Sequence, residues 1–66
     1  MEIIVNGEAK AFDAPMSVDG LLIALGLEPE KIAVERNLEI VPKSEYETTM
    51  LGEGDKIEVV QFVGGG

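Results

Sequence analysis

Alternating hydrophobic and polar residues at the start of the chain predict a β-strand. Within residues 1–6, Ile3 and Val5 fall on one side of an extended backbone, and Glu2, Ile4 and Asn6 fall on the other, which is the period of two residues that a strand shows. The strongest pattern of this kind lies at the opposite end of the chain, in residues 56–63. Both ends are therefore predicted to enter one sheet.

The pair Asn6-Gly7 follows the first strand and predicts a tight hairpin. Both residue types tolerate the positive φ angles that a two-residue hairpin loop requires. Residues 8–13 then form the returning strand, and their weak alternation places that strand at an edge of the sheet.

A helical spacing comes next. Ser17 stands at the N-cap position and Asp19 lies in the first turn, near the positive end of the helix dipole. Gly26 ends the helix in the left-handed position that favours glycine. The apolar stripe of this helix recurs at i, i+3, i+4 and i+7 and consists of Val18, Leu21, Leu22 and Leu25.

Short extended segments and turns fill the rest of the chain. Residues 32–36 and 38–41 are predicted as strands joined by a turn around Asn37. Residues 44–46 are predicted to start a single helical turn, and residues 52–55 form a turn before the last strand. The residues predicted to cover the core from below are Met50 and Leu51.

Two polar features of this region are interpreted as structural. Glu35, Arg36 and Asn37 could form a small polar site, but a charged triplet between two strands is usually a solvated turn. Tyr46 is predicted at the edge of the core with its hydroxyl in water.

The predicted order of strand, strand, helix, strand, short strand, strand indicates an α+β domain. One helix face is buried most economically by a mixed sheet whose first and last strands lie side by side and parallel at its centre. With the short strand left out of the count, this ββαββ arrangement is the β-grasp architecture. It makes residues 1–63 a single domain and residues 64–66 a flexible C-terminal glycine tail.

The composition argues against an enzyme. The chain of 66 residues has no Cys and no His, so it lacks a cysteine nucleophile, a thiolate metal site and the usual general base near neutral pH. A domain of this size also buries too little surface to enclose an active-site cavity beside its core. We therefore expect neither catalysis nor a bound metal or cofactor.

The charge balance restricts the partners. Asp and Glu number 13 against 5 Lys and Arg, for a net charge of −8, whereas phosphate and anionic lipid surfaces are bound mainly through Lys and Arg. Nucleic acid and membranes are therefore not expected as partners. The acid excess favours a basic patch on another protein as the partner, or it serves solubility alone.

No apolar run is long enough for a signal peptide or a membrane span. We therefore expect a soluble cytoplasmic protein that is monomeric when free.

The sequence closes on Gly64, Gly65 and Gly66, directly after the strongest strand. Such an end can be idle. Launched from a rigid strand, however, three residues without Cβ atoms can extend up to about 10 Å into a narrow channel of another protein. The α-carboxylate at the tip becomes an acyl donor once adenylation by ATP turns its oxygen into a leaving group. The chain has no phosphate-binding loop, so a partner would bind the ATP.

The alternation in the last strand also predicts a docking surface. Ile57 and Val59 should face the helix, which leaves Val60 and Phe62 on the outer face near Ile4. An exposed apolar cluster beside a functional tail suits binding of a partner. The alternative is that a loop covers one of these residues or that a bulge shifts the register. The residues predicted to bind partners are Val60, Phe62, Val63, Gly64 and Gly65.

Five stretches of the sequence resemble the ThiS family, the sulfur carrier proteins of thiamine biosynthesis. Together they cover nearly the whole chain, and their combination is more specific than a terminal diglycine alone. They are IIVNGE at 3–8, LLIALGL at 21–27, AVERN at 33–37, EIVPKSE at 39–45 and GDKIEVVQFVGGG at 54–66.

The resemblance implies a ubiquitin-like carrier that is a substrate of other enzymes. In that family an adenylyltransferase (ThiF-like) adenylates the terminal glycine carboxylate, which here is Gly66. Sulfur derived from a cysteine desulfurase then gives a thiocarboxylate, and this group supplies sulfur to thiazole synthase (ThiG-like). Two alternatives stay open: a carrier for molybdopterin or tRNA thiolation, and an interaction module with an inert tail.

Overall fold

The structure, a computed structural model, describes residues 1–13 and 15–61. Within them it contains a five-stranded sheet, an α-helix and 3₁₀ turns at Pro29–Lys31 and Lys43–Glu45. Phe62, Val63 and the predicted glycine tail lie outside the described residues. The strands and the helix are β1 (Glu2–Val5), β2 (Glu8–Ala11), α1 (Val18–Ala24), β3 (Ile32–Arg36), β4 (Glu39–Val41) and β5 (Lys56–Gln61).

The sheet has the order β2-β1-β5-β3-β4. The first and last strands, β1 and β5, pair in parallel at its centre, and the other pairs are antiparallel. The predicted mixed β-grasp sheet and the edge position of β2 are therefore confirmed. The short β4 is a fifth strand, which occupies the opposite edge. As a result β5 is held on both sides, by β1 and by β3.

Both hairpins of the sheet turn on a pair of residues with positive φ. Asn6 and Gly7 have φ angles of 48° and 82°, and Asn37 and Leu38 have φ angles of 51° and 72°. The first pair confirms the predicted Asn-Gly turn. Because Leu38 belongs to the second turn, β4 begins at Glu39 and not at Leu38 as predicted.

The helix begins and ends as the sequence predicts. The Ser17 hydroxyl accepts a hydrogen bond from the Gly20 N–H at 3.1 Å, which satisfies one of the free amides of the first turn. At the other end the Gly26 N–H donates to the Ile23 carbonyl and the Leu27 N–H to the Leu22 carbonyl. These bonds form a Schellman motif around Gly26, whose φ is 77°. The helix is too short to persist alone and depends on its buried face.

The core lies between α1 and the inner face of the sheet. Leu51 closes it as predicted, but Met50 is 52% exposed, so that part of the prediction is wrong. Met50 forms a β-bridge with Ser17, and alternation along this extended segment turns Met50 outward as Leu51 turns inward. The buried hydrophobic residues are Ile3, Val5, Val18, Leu21, Leu22, Ile32, Val34, Val41, Tyr46, Leu51 and Ile57.

Tyr46 is buried, contrary to the prediction that its hydroxyl is in water. The side chain is 4% exposed, and its hydroxyl donates a 2.6 Å hydrogen bond to the Ile32 carbonyl. Burial raises the pKa of the Tyr46 phenol, an effect that a hydrogen bond with the Val34 backbone partly offsets. The ring fills the core while the hydroxyl ties the segment after β4 to the start of β3.

The polar triplet at the end of β3 is part of a hydrogen-bond network. Arg36 Nε donates to Asp55 Oδ2 at 2.9 Å, and Asn37 Nδ2 donates to Asp55 Oδ1 at 3.1 Å. The Gly52 N–H donates to Asp55 Oδ2 at 2.7 Å. Asn37 is exposed in the turn, as the interpretation expected, but the solvated-turn interpretation missed that the side chains of Arg36 and Asn37 both bind the turn before β5. Glu35 is exposed, as that interpretation expected.

The Asp55 carboxylate responds to this network. Burial acts to raise its pKa, but hydrogen bonds from Gly52, Asn37 and Arg36, with the Arg36 charge, outweigh it and lower the pKa below its ordinary value. Stability contributed by this carboxylate is therefore present above pH about 4 and is lost as the pH falls through the lowered pKa. The network fixes the point at which β5 begins.

Candidate functional site

The predicted reactive end of the chain follows β5, so the geometry of β5 defines the candidate site. Its side chains alternate as predicted. Ile57 is buried and Val59 half-buried on the inner face, whereas Glu58 and Val60 are exposed on the outer face. The described strand ends at Gln61. It contains Val60 of the predicted binding residues, whereas Phe62, Val63, Gly64, Gly65 and Gly66 lie beyond the described residues.

Val60 does not lie beside Ile4, and that detail of the prediction is wrong. The parallel register pairs Ile4 with Lys56, four positions earlier on β5, whereas Val60 pairs with Ala33 of β3. The neighbours of Val60 therefore come from β3 and β4. Sequence alternation identifies the face of a strand but not its register with the strand beside it, which explains the error.

A shallow groove of about 350 Å³ runs over this part of the sheet. Val60 and Ile40 are its most exposed apolar residues, 61% and 78% accessible. We call it the outer groove, and it is lined by Ala33, Val34, Glu35, Ile40, Glu58 and Val60. Ile40 was not predicted as a site residue, although its alternation with Val41 indicates that it faces outward.

Two carboxylates lie side by side in the outer groove. Glu35 of β3 pairs directly with Glu58 of β5, both side chains are exposed, and neither forms an ion pair within residues 1–13 and 15–61. Like charges at directly opposed positions of a sheet weaken it slightly. The groove therefore combines an apolar floor with uncompensated negative charge, a surface complementary to an apolar patch that carries a cation.

On the other side of β5, Asn6 contacts the strand where its pairing with β1 ends. The last pair in the β1–β5 register is Val5 with Ile57, and the Asn6 N–H donates to the Ile57 carbonyl at 2.9 Å. Asn6 Oδ1 then accepts from the Val59 N–H at 2.8 Å, and Asn6 Nδ2 donates to the Val59 carbonyl at 3.2 Å. The side-chain amide thus continues the ladder by one step.

The sequence assigned Asn6 only to a turn. Its contact with Val59 joins residues 53 positions apart, and no local pattern reveals such a contact. The nearest signal is the choice of Asn and not Gly or Asp at the first position of the turn, which all three residue types favour.

The described part of the chain offers little else for chemistry. It contains no group of His, Cys, Asp or Glu side chains that could hold a metal ion, and none of its helices is long and apolar enough to cross a membrane. The site as described is the end of β5 that Gln61 closes, flanked by Asn6 on one side and the outer groove on the other.

Comparison with known proteins relates the whole chain to one family. The model of the ThiS family matches residues 3–66. The crystal structure of a thiamine biosynthesis protein (ThiS) from Geobacter metallireducens superposes with a TM-score of 0.85, at 33% sequence identity and with full coverage of both chains. The sulfur carrier protein ThiS of Bacillus subtilis is 44% identical over 50 residues, which are 76% of each chain.

Two thiazole synthases contain a region similar to this chain. Those of Paramagnetospirillum magneticum and Magnetococcus marinus are 53% and 48% identical to it over 66 residues. The match covers all of this chain and 20% of each synthase, so the chain spans about a fifth of the length of these relatives.

Proposed function

The chain belongs to the ThiS family, and from this premise we propose that it is a sulfur carrier protein of thiamine biosynthesis. The observation that carries the proposal is the agreement of family and fold. The strand that leads to the terminal glycines is the central one, paired on both sides. In a carrier the tail needs to start from such a fixed strand, because the partner must bind the body and the tail together.

The proposed chemistry is confined to the α-carboxylate of Gly66. One of its oxygens attacks the α-phosphorus of ATP, pyrophosphate leaves, and the acyl-adenylate forms. The terminal sulfur of a persulfide then attacks the carbonyl carbon and AMP leaves, which gives an acyl disulfide. A thiol reductant cleaves the S–S bond, so that one sulfur remains on the chain as a thiocarboxylate. The carrier's own side chains take no part in bond making, so the chain is a substrate and not an enzyme, and the partner binds the ATP.

Each step of this chemistry requires a partner enzyme. An adenylyltransferase activates Gly66, a cysteine desulfurase is the source of the sulfur, and a thiazole synthase accepts it. The two thiazole synthases that contain a region similar to this chain support the last assignment and favour the thiazole pathway over the other sulfur carriers. Because all of these reactions draw on ATP and cysteine, we propose the cytoplasm as the location.

The outer groove is the proposed docking surface for the adenylyltransferase. Ile40 and Val60 supply exposed apolar contact area, and Glu35 with Glu58 supplies negative charge. Phe62, for which the sequence alternation predicts the same face as Val60, and Val63 would extend the contact toward the tail. Gly64 and Gly65 would then pass through a channel too narrow for side chains.

The test is isotope exchange between pyrophosphate and ATP, catalysed by the adenylyltransferase of the source organism. We expect exchange that depends on this chain and is lost when Gly66 is deleted, because the deletion withdraws the reacting carboxylate from the partner's active site. The control is the Asn37→Gly variant, which keeps the tail and should support exchange like wild type. Exchange that is absent with the wild-type chain would contradict the proposal.

A further inference from the structure

Two asparagines hold β5, one near each end. Asn37 Oδ1 accepts from the Lys56 N–H at 3.0 Å, where the strand begins. Asn6 binds both backbone groups of Val59, near its described end. Both asparagines open two-residue hairpin turns and have nearly equal φ angles, 48° for Asn6 and 51° for Asn37. The two contacts are therefore alike in chemistry but differ in their position along the strand.

The turn itself does not require the Asn6 amide. Gly is as well suited to its backbone conformation, and the side chain is exposed, so water could satisfy the same Val59 groups. The two hydrogen bonds therefore add little to global stability. Their particular effect is local, because β1 no longer pairs with β5 at Val59 and Asn6 supplies the contact on that side.

We infer that Asn6 is a positioning residue, which fixes the direction in which the chain leaves the sheet toward Gly66. This role rests on the proposed function. Gly66 follows Gln61 by five positions, so its carboxylate can lie up to about 17 Å from the described end of β5. Because the tail starts from β5, a change in the direction of the strand shifts the region that this carboxylate can reach. With Asn6 in place, the end of β5 is already ordered before the partner binds, so that binding does not have to order it.

Three variants separate this role from the role of the turn. Asn6→Gly keeps the favourable backbone conformation and removes both contacts with Val59. Asn6→Asp keeps the acceptor for the Val59 N–H but has no donor for the Val59 carbonyl. Asn37→Gly is the control in the other hairpin, because it makes the same substitution, removes the contacts of Asn37 with Lys56 and Asp55 and loosens the beginning of β5 only.

Two measurements follow, at a temperature where circular dichroism finds every variant folded. Amide hydrogen exchange at Val59 should accelerate about tenfold or more in Asn6→Gly and stay unchanged in Asn37→Gly. In carrier-dependent ATP–pyrophosphate exchange, Asn6→Gly should raise the KM for the carrier about three- to tenfold, as the loss of two exposed hydrogen bonds allows. The kcat should not change, because the reacting group is untouched, and Asn6→Asp should be intermediate.

The outcomes are distinguishable. If the wild-type chain is active and Asn6→Gly has the wild-type KM, the positioning role is overturned and the proposed function stands. The role is also overturned if Asn37→Gly raises KM as much as Asn6→Gly, since general loosening of β5 would then explain both. A wild-type chain that supports no exchange overturns the proposed function, and the positioning role with it.

Discussion

The Tyr46 hydroxyl connects two parts of the chain that the sheet does not pair. It donates to the carbonyl of Ile32, the first residue of β3, while the Tyr46 carbonyl accepts from the Asp19 N–H at 2.9 Å in the first turn of α1. One residue thus satisfies a carbonyl at the start of a strand and an amide at the start of the helix. Buried polar groups without partners destabilise a fold. The hydrogen bonds of Tyr46 therefore stabilise the protein in addition to the burial of its ring.

We predict that Tyr46→Phe lowers the free energy of unfolding by about 1–2 kcal/mol, because the buried Ile32 carbonyl loses its donor. Wild type should also become less stable as the pH rises above about 10, the pKa of an unfolded tyrosine. The folded phenol has the raised pKa and holds its proton longer, so the folded state binds more protons in this range. Urea denaturation between pH 7 and 11 measures both effects.

Tyr46 is the only tyrosine of the chain, so Tyr46→Phe should lack this tyrosine contribution to the pH dependence. A variant whose stability falls between pH 9 and 11 as steeply as that of wild type would contradict this account. Equal stability of the two proteins at pH 7 would contradict the role assigned to the hydrogen bond.

The two hairpin turns share one backbone geometry but use different residues at the second central position. Each turn has Asn at its first central position, but the second is Gly7 in one hairpin and Leu38 in the other. A residue with a Cβ at φ near +70° is strained. Leu38 is 91% exposed, so packing against the fold does not compensate for the strain.

We therefore predict that Leu38→Gly stabilises the protein by about 0.5–1 kcal/mol, because relief of the strain outweighs the greater entropy of glycine in the unfolded chain. The matched variant is Gly7→Ala in the other hairpin. No atom lies within 4 Å of a Cβ placed on Gly7, so its expected loss of about 1 kcal/mol comes from backbone strain alone. Thermal denaturation should move in opposite directions for the two variants, and a destabilised Leu38→Gly would refute the argument.

At the level of strands and helices, most of the fold could be predicted from the sequence. Caps, turn residues and alternation are local signals, and they located β1, the first hairpin, both ends of α1 and β3. The errors at Met50 and Leu38 are local, and the remaining ones concern contacts between distant residues. The Tyr46 hydroxyl, the Arg36–Asp55 pair and the Asn6–Val59 contact join residues 14, 19 and 53 positions apart, and no pattern within one segment specifies such a partner.

The candidate site, like the fold, could be predicted from the sequence only where local patterns determine it. The exposed position of Val60 followed from alternation along β5, whereas Ile40 and Glu35 become its neighbours only through the pairing of β3 with β4 and β5. The chemistry proposed for Gly66 came from the sequence and the family, and it remains a proposal about residues beyond Gln61.

The charge of the molecule as a whole bears on how it meets its partners. A net charge of −8 in 66 residues disfavours self-association and accelerates encounter with a basic surface, an effect that salt screens over about 8 Å at physiological ionic strength. The Glu35–Glu58 pair concentrates part of this charge in the outer groove. If that groove is the docking surface, these two acids should matter more than others.

We predict that the double variant Glu35→Gln, Glu58→Gln slows association with the adenylyltransferase about three- to tenfold at low salt, with a smaller difference at high salt. Its free energy of unfolding should not fall, because the opposed like charges are removed. The control, Glu8→Gln with Glu47→Gln, changes the net charge equally at exposed positions outside the groove. Stopped-flow measurements that find both double variants slowed equally would assign the effect to net charge and exclude the groove.

The central claim is that this chain carries sulfur on its last residue. The chain is incubated with ATP, the adenylyltransferase, a cysteine desulfurase with cysteine and a thiol reductant, then cleaved after Lys56, its last basic residue. Mass spectrometry of the peptide 57–66 should find one oxygen replaced by sulfur, with fragment ions that place the sulfur on Gly66. An unmodified peptide, or sulfur on any other residue, would contradict the account.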